Sequence, residues 1–388
     1  MTKMIRLKQF FTPAEYSNVL INHLEMTEPI KVIDLAMGEC SLLIEAKKKW
    51  NKSEFYGNDI DKDCCKKIKE DSLDIKYFNK DIFKFNTIYD IVKKIGKVDL
   101  CIGNPPFYLI KQNKDTKKIL SKFQLDYYYK TERIPAEVIF ILQCLRILKD
   151  NGTLSLILPD GFFVNNHLSP FREFLINNYM IEKIIELPRN IFNKTDAKTH
   201  ILLLRNYKPL SSGIKLMSLS NKNITILAKD AIKRMDYSYY VHVEKYESYK
   251  KISECDIKVI RGKSKCLIKE FNERHILHTT SFRNSHIFKS KLRTKNKFLK
   301  YPHKIAEPGD IILARVGSNS LGNIGLVESG YFLITDCIFI IRVKNEKLRY
   351  RVYNALLSSE GQKWIVANSK GVAARHITLE DIKNFPIL

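Results

Sequence analysis

Strand-like and helix-like segments alternate through the first half of this 388-residue chain. Short apolar runs rich in β-branched residues, such as KVIDLAM (31–37) and TLSLILP (153–159), are separated by segments whose apolar residues have helical spacing. AEVIFILQCLRILKDNG (136–152) is an amphipathic helix pattern that ends at Asn-Gly. This alternation predicts an α/β fold with a doubly wound, mostly parallel sheet.

Acidic residues end three successive strands of this pattern. Asp34 opens DLAMGEC, in which Gly38 lets the backbone turn tightly beside a ligand. Asp59 follows about 20 residues later, where a carboxylate commonly binds ribose hydroxyls, and Asp81 ends the third strand. One such residue is usually a surface Asp, but ligands bind at the carboxyl ends of strands in these sheets. The three carboxylates together therefore predict a binding site for a nucleotide-like ligand.

The fourth strand runs into GNPPF (103–107). Proline has no N–H, so the Asn104 side-chain oxygen and the Pro105 carbonyl can both accept hydrogen bonds from one exocyclic amino group. Phe107 offers a face on which a planar base stacks. A rigid turn would explain Asn-Pro-Pro alone, whereas the upstream carboxylates favour a site that holds an amino group for attack on an electrophile.

These motifs together resemble the AdoMet-dependent adenine-N6 DNA methyltransferases of the gamma arrangement, which carry a target-recognition domain at the C-terminus. The segments that match, in the family's order, are FFTPAEY (10–16), VIDLAMGEC (32–40), YGNDID (56–61), KDIF (80–83) and GNPPF (103–107). The resemblance implies a Rossmann-like class I methyltransferase domain that uses S-adenosyl-L-methionine (AdoMet).

The resemblance also implies which residues act. The catalytic residues are Asn104, Pro105, Pro106 and Phe107. The cofactor-binding residues are Thr12, Asp34, Ala36, Gly38, Asp59, Ile60, Asp81, Ile82 (or Phe83) and Asn104. The segment 189–205 is similar to the one that packs an aromatic ring on the target base, which suggests Phe192, although an ordinary core Phe is an equal alternative.

One position departs from the family pattern. The loop usually reads D-x-x-x-G-x-G, and Cys40 stands at the second Gly. A Cβ there is expected to crowd the cofactor and to weaken AdoMet binding, while Gly38 and the other elements favour retention of binding.

The implied reaction needs positioning and electrostatics more than side-chain acid–base chemistry, because AdoMet is an activated methyl donor. A target adenine in a duplex has to be flipped out to reach the GNPPF segment. Direct displacement at the methyl group then requires no strong general base, and none is assigned.

The net charge of +24 favours a polyanionic partner. Residues 1–210 hold 34 basic and 26 acidic residues, whereas residues 211–388 hold 32 and 16. A genome-wide bias toward lysine would spread the positive surplus more evenly along the chain. Residues 211–388 are therefore predicted to make most of the contacts to nucleic acid.

The alternation ends after NYKPLSSG (206–213), which predicts a methyltransferase domain over 1–210 and a mixed α+β DNA-recognition domain over 211–388. Residues 307–344 and 369–388 resemble the target-recognition domains of type I restriction specificity subunits. Residues 274–306 contain no acidic residue, although a solvated lysine face is an equal alternative. The predicted DNA contacts are Lys289, Lys291, Arg293, Lys295, Lys297, Arg315 and Arg375.

Other classes of protein fit less well. The eight cysteines lack metal-ligand spacing, so no metal is expected, and no signal peptide or apolar span is evident. The chain is therefore expected to be cytoplasmic and to have no membrane partner. It is expected to bind double-stranded DNA as a monomer or homodimer. A cognate restriction endonuclease or a partner subunit stays open. The alternative functions are an RNA adenine-N6 methyltransferase and a catalytically weak DNA-specificity protein.

Overall fold

A computed structural model provides the coordinates of the protein. It describes residues 12–64, 74–126, 130–189, 191, 198–209, 213–220, 222–263, 275–283, 286–298, 300–301, 304–317, 319–371 and 375–388. The chain divides into two compact units, Met1–Tyr237 and Ser238–Leu388.

The first unit is built on a nine-stranded sheet flanked by helices. The strands are β1 (Lys31–Asp34), β2 (Glu54–Asn58), β3 (Lys76–Phe78), β4 (Val98–Gly103), β7 (Leu148–Pro159), β8 (Met180–Glu186), β9 (Thr199–Arg205), β10 (Gly213–Ser218) and β11 (Asn223–Leu227), and a separate hairpin contains β5 (Leu109–Lys111) and β6 (Arg133–Pro135). The helices are α1 (Ala14–Asn22), α2 (Ser41–Lys49), α3 (Phe85–Ile95), α4 (Lys114–Lys122), α5 (Ala136–Ile147), α6 (Asp160–Val164), α7 (Ser169–Asn178) and α8 (Ala228–Lys233).

The strand order is β11-β10-β8-β9-β7-β4-β1-β2-β3. β1 pairs in parallel with both β2 and β4, β2 with β3, and β4 with β7. β9 runs antiparallel between β7 and β8. The order reverses at β1 and β4, so their carboxyl ends form the switch point at which ligands bind in such sheets. This Rossmann-like arrangement confirms the predicted fold class.

Apolar side chains on both faces of the sheet explain why the strands read as continuous hydrophobic runs. One face packs against α1 and α2 through a cluster that includes Leu20, Leu43, Ile102, Ile157 and Ile201, all nearly inaccessible to solvent. α5 is buried along almost its whole length. The sheet is therefore a rigid support for the loops at its carboxyl edge.

The first unit extends beyond the predicted boundary at residue 210. β10 pairs with β8, and β11 pairs with β10, so both strands belong to the large sheet. The division falls at Tyr237 and Ser238 instead. The predicted linker therefore lies between two strands of the same sheet, since β10 pairs with the edge of β8.

The described residues of the second unit form two smaller sheets and four α-helices, in agreement with the predicted α+β class. A five-stranded sheet has the order β12-β19-β16-β17-β14, and a three-stranded sheet has the order β13-β18-β15, with strands β12 (Ile257–Arg261), β13 (Ile276–Leu277), β14 (Ile287–Lys289), β15 (Ile305–Ala306), β16 (Ile311–Ala314), β17 (Ile324–Ser329), β18 (Phe332–Ile334) and β19 (Ile338–Val343). The helices are α9 (Tyr237–Tyr246), which begins at the division, α10 (Glu346–Leu357), α11 (Ser359–Asn368) and α12 (Leu379–Lys383). Trp364 and Phe385 pack edge to face in its core.

Candidate active site

A cleft of about 970 Å³ lies at the carboxyl ends of β1, β2, β3 and β4. Parallel pairing brings these strand ends to one edge, so residues far apart in sequence meet there. The residues that line it are Leu35, Ala36, Gly38, Asn58, Asp59, Ile60, Lys80, Asp81, Ile82, Phe83, Asn104, Pro105, Pro106 and Tyr108. Most of the residues expected to bind the cofactor are among them. Their individual roles stay predictions.

Asn58 holds three of these strand ends together. Its amide donates to the Leu35 carbonyl at 3.0 Å and to the Lys80 carbonyl at 3.1 Å, and its oxygen accepts from the Lys80 N–H at 3.1 Å. Asn58 is 1 % exposed, so these bonds satisfy a buried amide. No role was predicted for Asn58 from the sequence, where its position directly before Asp59 was the available signal.

Asp59 connects the second strand end to the glycine loop. The Gly38 N–H donates to Asp59 Oδ2 at 2.9 Å, and the Asp61 N–H donates to Oδ1 at 2.8 Å. Gly38 adopts a positive φ of 51°, which suits a residue without a Cβ. Burial raises the pKa of Asp59 despite these bonds. The carboxylate thus fixes the loop that lines the cleft.

Asp34 lies beneath this loop and is 1 % exposed. Its Oδ1 accepts a hydrogen bond from the Ala36 N–H at 2.9 Å. Burial raises the pKa of Asp34 to about 8, and the neighbouring Asp59 adds to the shift. Burial therefore favours the protonated form of this carboxyl group.

Cys40 adopts the left-handed conformation expected of the family glycine, with φ 65° and ψ 13°. Its side chain is 2 % exposed and belongs to the hydrophobic cluster that contains Met37 and Leu42. The cleft is lined by Gly38 and not by Cys40. This geometry favours little crowding of a ligand, because the Cβ carries the thiol into the core.

Asn104 contributes to both the cleft and a smaller adjoining cavity of about 280 Å³. The smaller cavity is lined by Thr12, Asp34, Ala36, Met37, Gly38, Glu39, Ser41, Leu42 and Asn104. The Asn104 side-chain nitrogen donates to the Thr12 hydroxyl oxygen at 3.1 Å across 92 residues of sequence. The Thr-Pro segment and the end of β4 are thereby joined.

The aromatic residues after Asn104 are placed differently from one another. Tyr108 lines the cleft and makes an edge contact with Phe83, with ring centroids 6.5 Å apart. Burial raises the pKa of the Tyr108 hydroxyl. Phe107 is partly buried and stays the predicted stacking residue. Phe192, its predicted partner, lies outside the described residues.

A buried ionic cluster lies beside the site, where β7 ends and β9 begins. Lys198 Nζ lies 3.0 Å from Glu186, 3.6 Å from Asp160 and 3.8 Å from Asp236. His200 contacts Asp160 Oδ1 through Nε2 at 2.9 Å. Burial alone would raise the pKa of Asp160, but Lys198 and His200 hold it well below its usual range. The same carboxylates outweigh the cost of burying Lys198 and raise its pKa.

The predicted DNA contacts in the second unit are mostly at its surface. Lys289, Lys291, Arg293 and Lys295 are exposed, and Lys297 lies in a short 3-10 helix, Asn296–Phe298. Lys289 pairs with Glu328 at 2.9 Å, and Lys295 pairs with Glu307. The acid-free stretch is thus partly neutralised by acids from elsewhere in the unit.

Arg315 is the predicted DNA contact whose surroundings differ most from expectation. It is 8 % exposed, and its guanidinium donates to the carbonyls of Ile377 and Asp336 at 3.1 and 3.0 Å. Its placement over the Phe339 ring also favours a bracing role in the fold. Arg375 is partly exposed, and its carbonyl accepts from the Gly317 N–H at 2.9 Å.

The described part of the chain contains no cluster of three or more His, Cys, Asp or Glu side chains able to hold a metal ion. None of its helices combines the length and the apolar character needed to cross a bilayer.

The strand order and the cleft define a class I methyltransferase fold. A comparison with known families identifies the protein further: residues 3–260 match the N-6 DNA Methylase family, so the chain belongs to that family. The match covers the whole described first unit and the start of the second.

Individual relatives are distant. The chain is 23 % identical over 235 residues to the type I restriction enzyme MpnII methylase subunit of Mycoplasma pneumoniae, covering 55 % of this chain and 43 % of that one. It is 25 % identical over 255 residues to the type II methyltransferase M.HincII of Haemophilus influenzae, covering 62 % and 45 %. The chain thus spans less than half the length of these relatives.

One similar solved structure spans both units. The type IIG restriction endonuclease BpuSI aligns with 98 % of this chain and 59 % of its own, with a TM-score of 0.54 and 15 % identity. At this identity the likeness concerns the fold alone.

Proposed function

We propose that this protein transfers a methyl group from AdoMet to N6 of a flipped-out adenine in duplex DNA. The observation that carries the proposal is the position of Asn104, which directly follows β4 at the switch point and lines both the cleft and the adjoining cavity. Membership of the N-6 DNA methylase family supports it. The proposed activity is of the site-specific kind found in restriction–modification systems.

The residues of the cleft fit AdoMet. The cleft combines apolar side chains with a few polar groups, as small-molecule sites do. Asp59 is proposed to bind ribose hydroxyls, and Ile60 and Ile82 are proposed to contact the adenine ring. Asp81 lines the same cleft. When bound, AdoMet would supply a methyl group on a positively charged sulfonium.

The chain's own contribution is to orient the amino group of the target. The Asn104 side-chain oxygen and the Pro105 carbonyl accept its two N–H bonds, which localises the nitrogen lone pair toward the methyl donor. Thr12 holds the Asn104 amide by the 3.1 Å hydrogen bond. Such fixed acceptors cost no reorganisation during the reaction. Phe107 and Tyr108 limit the space around the base.

The second unit is proposed to recognise the target sequence. Its exposed cations, Lys291 and Arg293 among them, suit contacts to phosphates, which fix the register on the duplex but carry no sequence information. Double-stranded DNA is the proposed partner. A cognate endonuclease or a further subunit fits the restriction–modification setting of M.HincII and the MpnII subunit, and the protein is proposed to act as a monomer or homodimer.

The experiment measures methyl transfer from labelled AdoMet to duplex DNA of mixed sequence and, in parallel, to total RNA. The proposal predicts label in DNA alone. Label in RNA alone would show that the protein is an RNA methyltransferase that uses the same site residues. A protein that binds DNA, fails to bind AdoMet and transfers no label to DNA or RNA would be a DNA-specificity protein without catalytic activity.

A further inference from the structure

A small insert follows the target loop in the first unit. It runs from β5 (Leu109–Lys111) through α4 (Lys114–Lys122) to β6 (Arg133–Pro135), and β5 and β6 pair as an antiparallel hairpin. No role was predicted for this insert from the sequence. Because β5 begins two residues after Phe107, the insert is covalently adjacent to the loop that holds the proposed target base.

Several contacts fix the insert to the rim of the AdoMet cleft. The Phe85 N–H donates to Asp115 Oδ1 at 3.1 Å, and Lys84 lies 3.4 Å from the same carboxylate. At the other end, the Ala136 N–H donates to the Tyr108 carbonyl at 2.9 Å. Asn113 caps α4 by accepting from the N–H groups of its first turn. The insert therefore has a defined place beside the site.

The surface of the insert is strongly basic. Residues 111–133 contain seven Lys or Arg and three Asp or Glu, and every one of the seven cations is exposed. Two of the three acids are already engaged: Asp115 bonds to the cleft rim, and Glu132 pairs with Lys111 at 3.0 Å. The remaining lysines thus give the described surface of the insert a surplus of positive charge.

An open groove of about 980 Å³ crosses this surface. The residues that line it are Gln112, Lys117, Ser121, Asp126, Lys130, Thr131 and Glu132. Ammonium, hydroxyl and amide groups in combination are the side-chain donors that proteins use on DNA phosphates and sugars. The groove is too open and polar for a buried apolar ligand.

We infer that this insert binds the backbone phosphates of the target strand next to the flipped adenine, through Lys117 and Lys130. The inference rests on the proposed function and adds a second DNA-binding surface, which lies within the methyltransferase unit. Base flipping strains the backbone on either side of the target nucleotide. Cations fixed beside the target loop would hold that backbone while the base leaves the stack.

The test compares the double variant K117Q/K130Q with K93Q/K97Q. Lys93 and Lys97 are also exposed, but Lys97 precedes the first residue of β4, so this control pair lies toward the opposite edge of the sheet. Both variants lose two charges. The measurements are binding of a fluorescent duplex of mixed sequence at several salt concentrations, the kcat and KM for methylation of plasmid DNA, and AdoMet binding.

The inference predicts that K117Q/K130Q raises the dissociation constant and the KM for DNA about tenfold and reduces the slope of log K against log salt by about 2 relative to the control. The kcat and AdoMet affinity are expected to stay unchanged, and K117R/K130R is expected to restore DNA binding. Equal behaviour of K117Q/K130Q and K93Q/K97Q, with wild type active on DNA, would overturn the inference alone. A wild type that neither binds nor methylates DNA would overturn the proposed function and the inference with it.

Discussion

The Asn104 side-chain nitrogen donates a hydrogen bond to the Thr12 hydroxyl oxygen at 3.1 Å. This contact uses the donor end of the amide within the protein, so the oxygen end is the part that suits an amino group of the substrate. Thr12 is 8 % exposed, which shields the bond from competing water. The orientation of the proposed catalytic amide thus depends on a residue that precedes the first helix of the sheet domain.

Replacing Thr12 tests this dependence. Thr12→Val keeps the shape but removes the acceptor, so the Asn104 amide loses its fixed rotation. We expect the kcat for methyl transfer to fall at least about tenfold, because misplaced reacting groups are costly. AdoMet affinity is expected to change less than the kcat. Thr12→Ser retains the hydroxyl and should stay near wild type; a loss equal to that of Thr12→Val would contradict the account.

The stability of the ligand-free protein should depend on Asp34 with a definite sign. Its pKa is about 8 in the folded chain against a usual value of 3.8. Between these values the folded state keeps a proton that the unfolded state releases, so the free energy of unfolding falls as the pH rises from about 4 to about 8. Asp34→Asn carries no charge and should remove this contribution.

The measurement is urea unfolding of wild type and Asp34→Asn at pH 4 and pH 7. The variant should be more stable at pH 7, by on the order of 2–4 kcal/mol, and close to wild type at pH 4. AdoMet binding should weaken in the same variant, because a positively charged ligand favours the ionised carboxylate. A stability difference that is the same at both pH values would show that Asp34 is ionised in the folded chain.

Cys40→Gly tests whether the unusual loop residue limits AdoMet binding. The backbone already has the left-handed conformation that glycine favours, and the thiol lies in the core. We therefore expect AdoMet affinity to change by less than about threefold, since the cleft wall is unaltered. An increase of a hundredfold by calorimetry would show that the Cβ does crowd the cofactor.

The buried ionic cluster should be important for folding. Lys198→Met would leave Asp160, Glu186 and Asp236 close together without their shared cation. We expect the free energy of unfolding to fall by about 3–5 kcal/mol. Lys111→Met is a matched control at an exposed pair with Glu132 in the same unit and should cost less than about 1 kcal/mol. Equal losses would mean that the cluster is no more stabilising than a surface pair.

Much of the first unit could be predicted from the sequence because each signal was local. Asp34 ends an apolar strand, Asp59 and Asp81 come after the next two strands, and parallel pairing brings all three to one edge. The end of the unit could not be read in this way. β10 and β11 look like isolated strands, and their membership of the large sheet depends on long-range pairing with β8.

Side-chain roles were harder to predict where one residue type serves two purposes. Arg315 has the same charge as a DNA contact, yet burial commits its guanidinium to the carbonyls of Ile377 and Asp336. The exposed Lys295 pairs with Glu307. The groups that bind Arg315 and Lys295 are distant from them in sequence. A basic stretch alone therefore does not show which cations bind DNA and which stabilise the fold.

The most direct test of the central claim is the identity of the modified nucleoside. Duplex DNA would be incubated with AdoMet and either wild type or Asn104→Ala, hydrolysed, and analysed by mass spectrometry. The account predicts N6-methyladenine from the wild type and at least about a hundredfold less from the variant, whose site lacks one of the two acceptors for the amino group. N4-methylcytosine as the product, or N6-methyladenine at equal rates from both proteins, would contradict it.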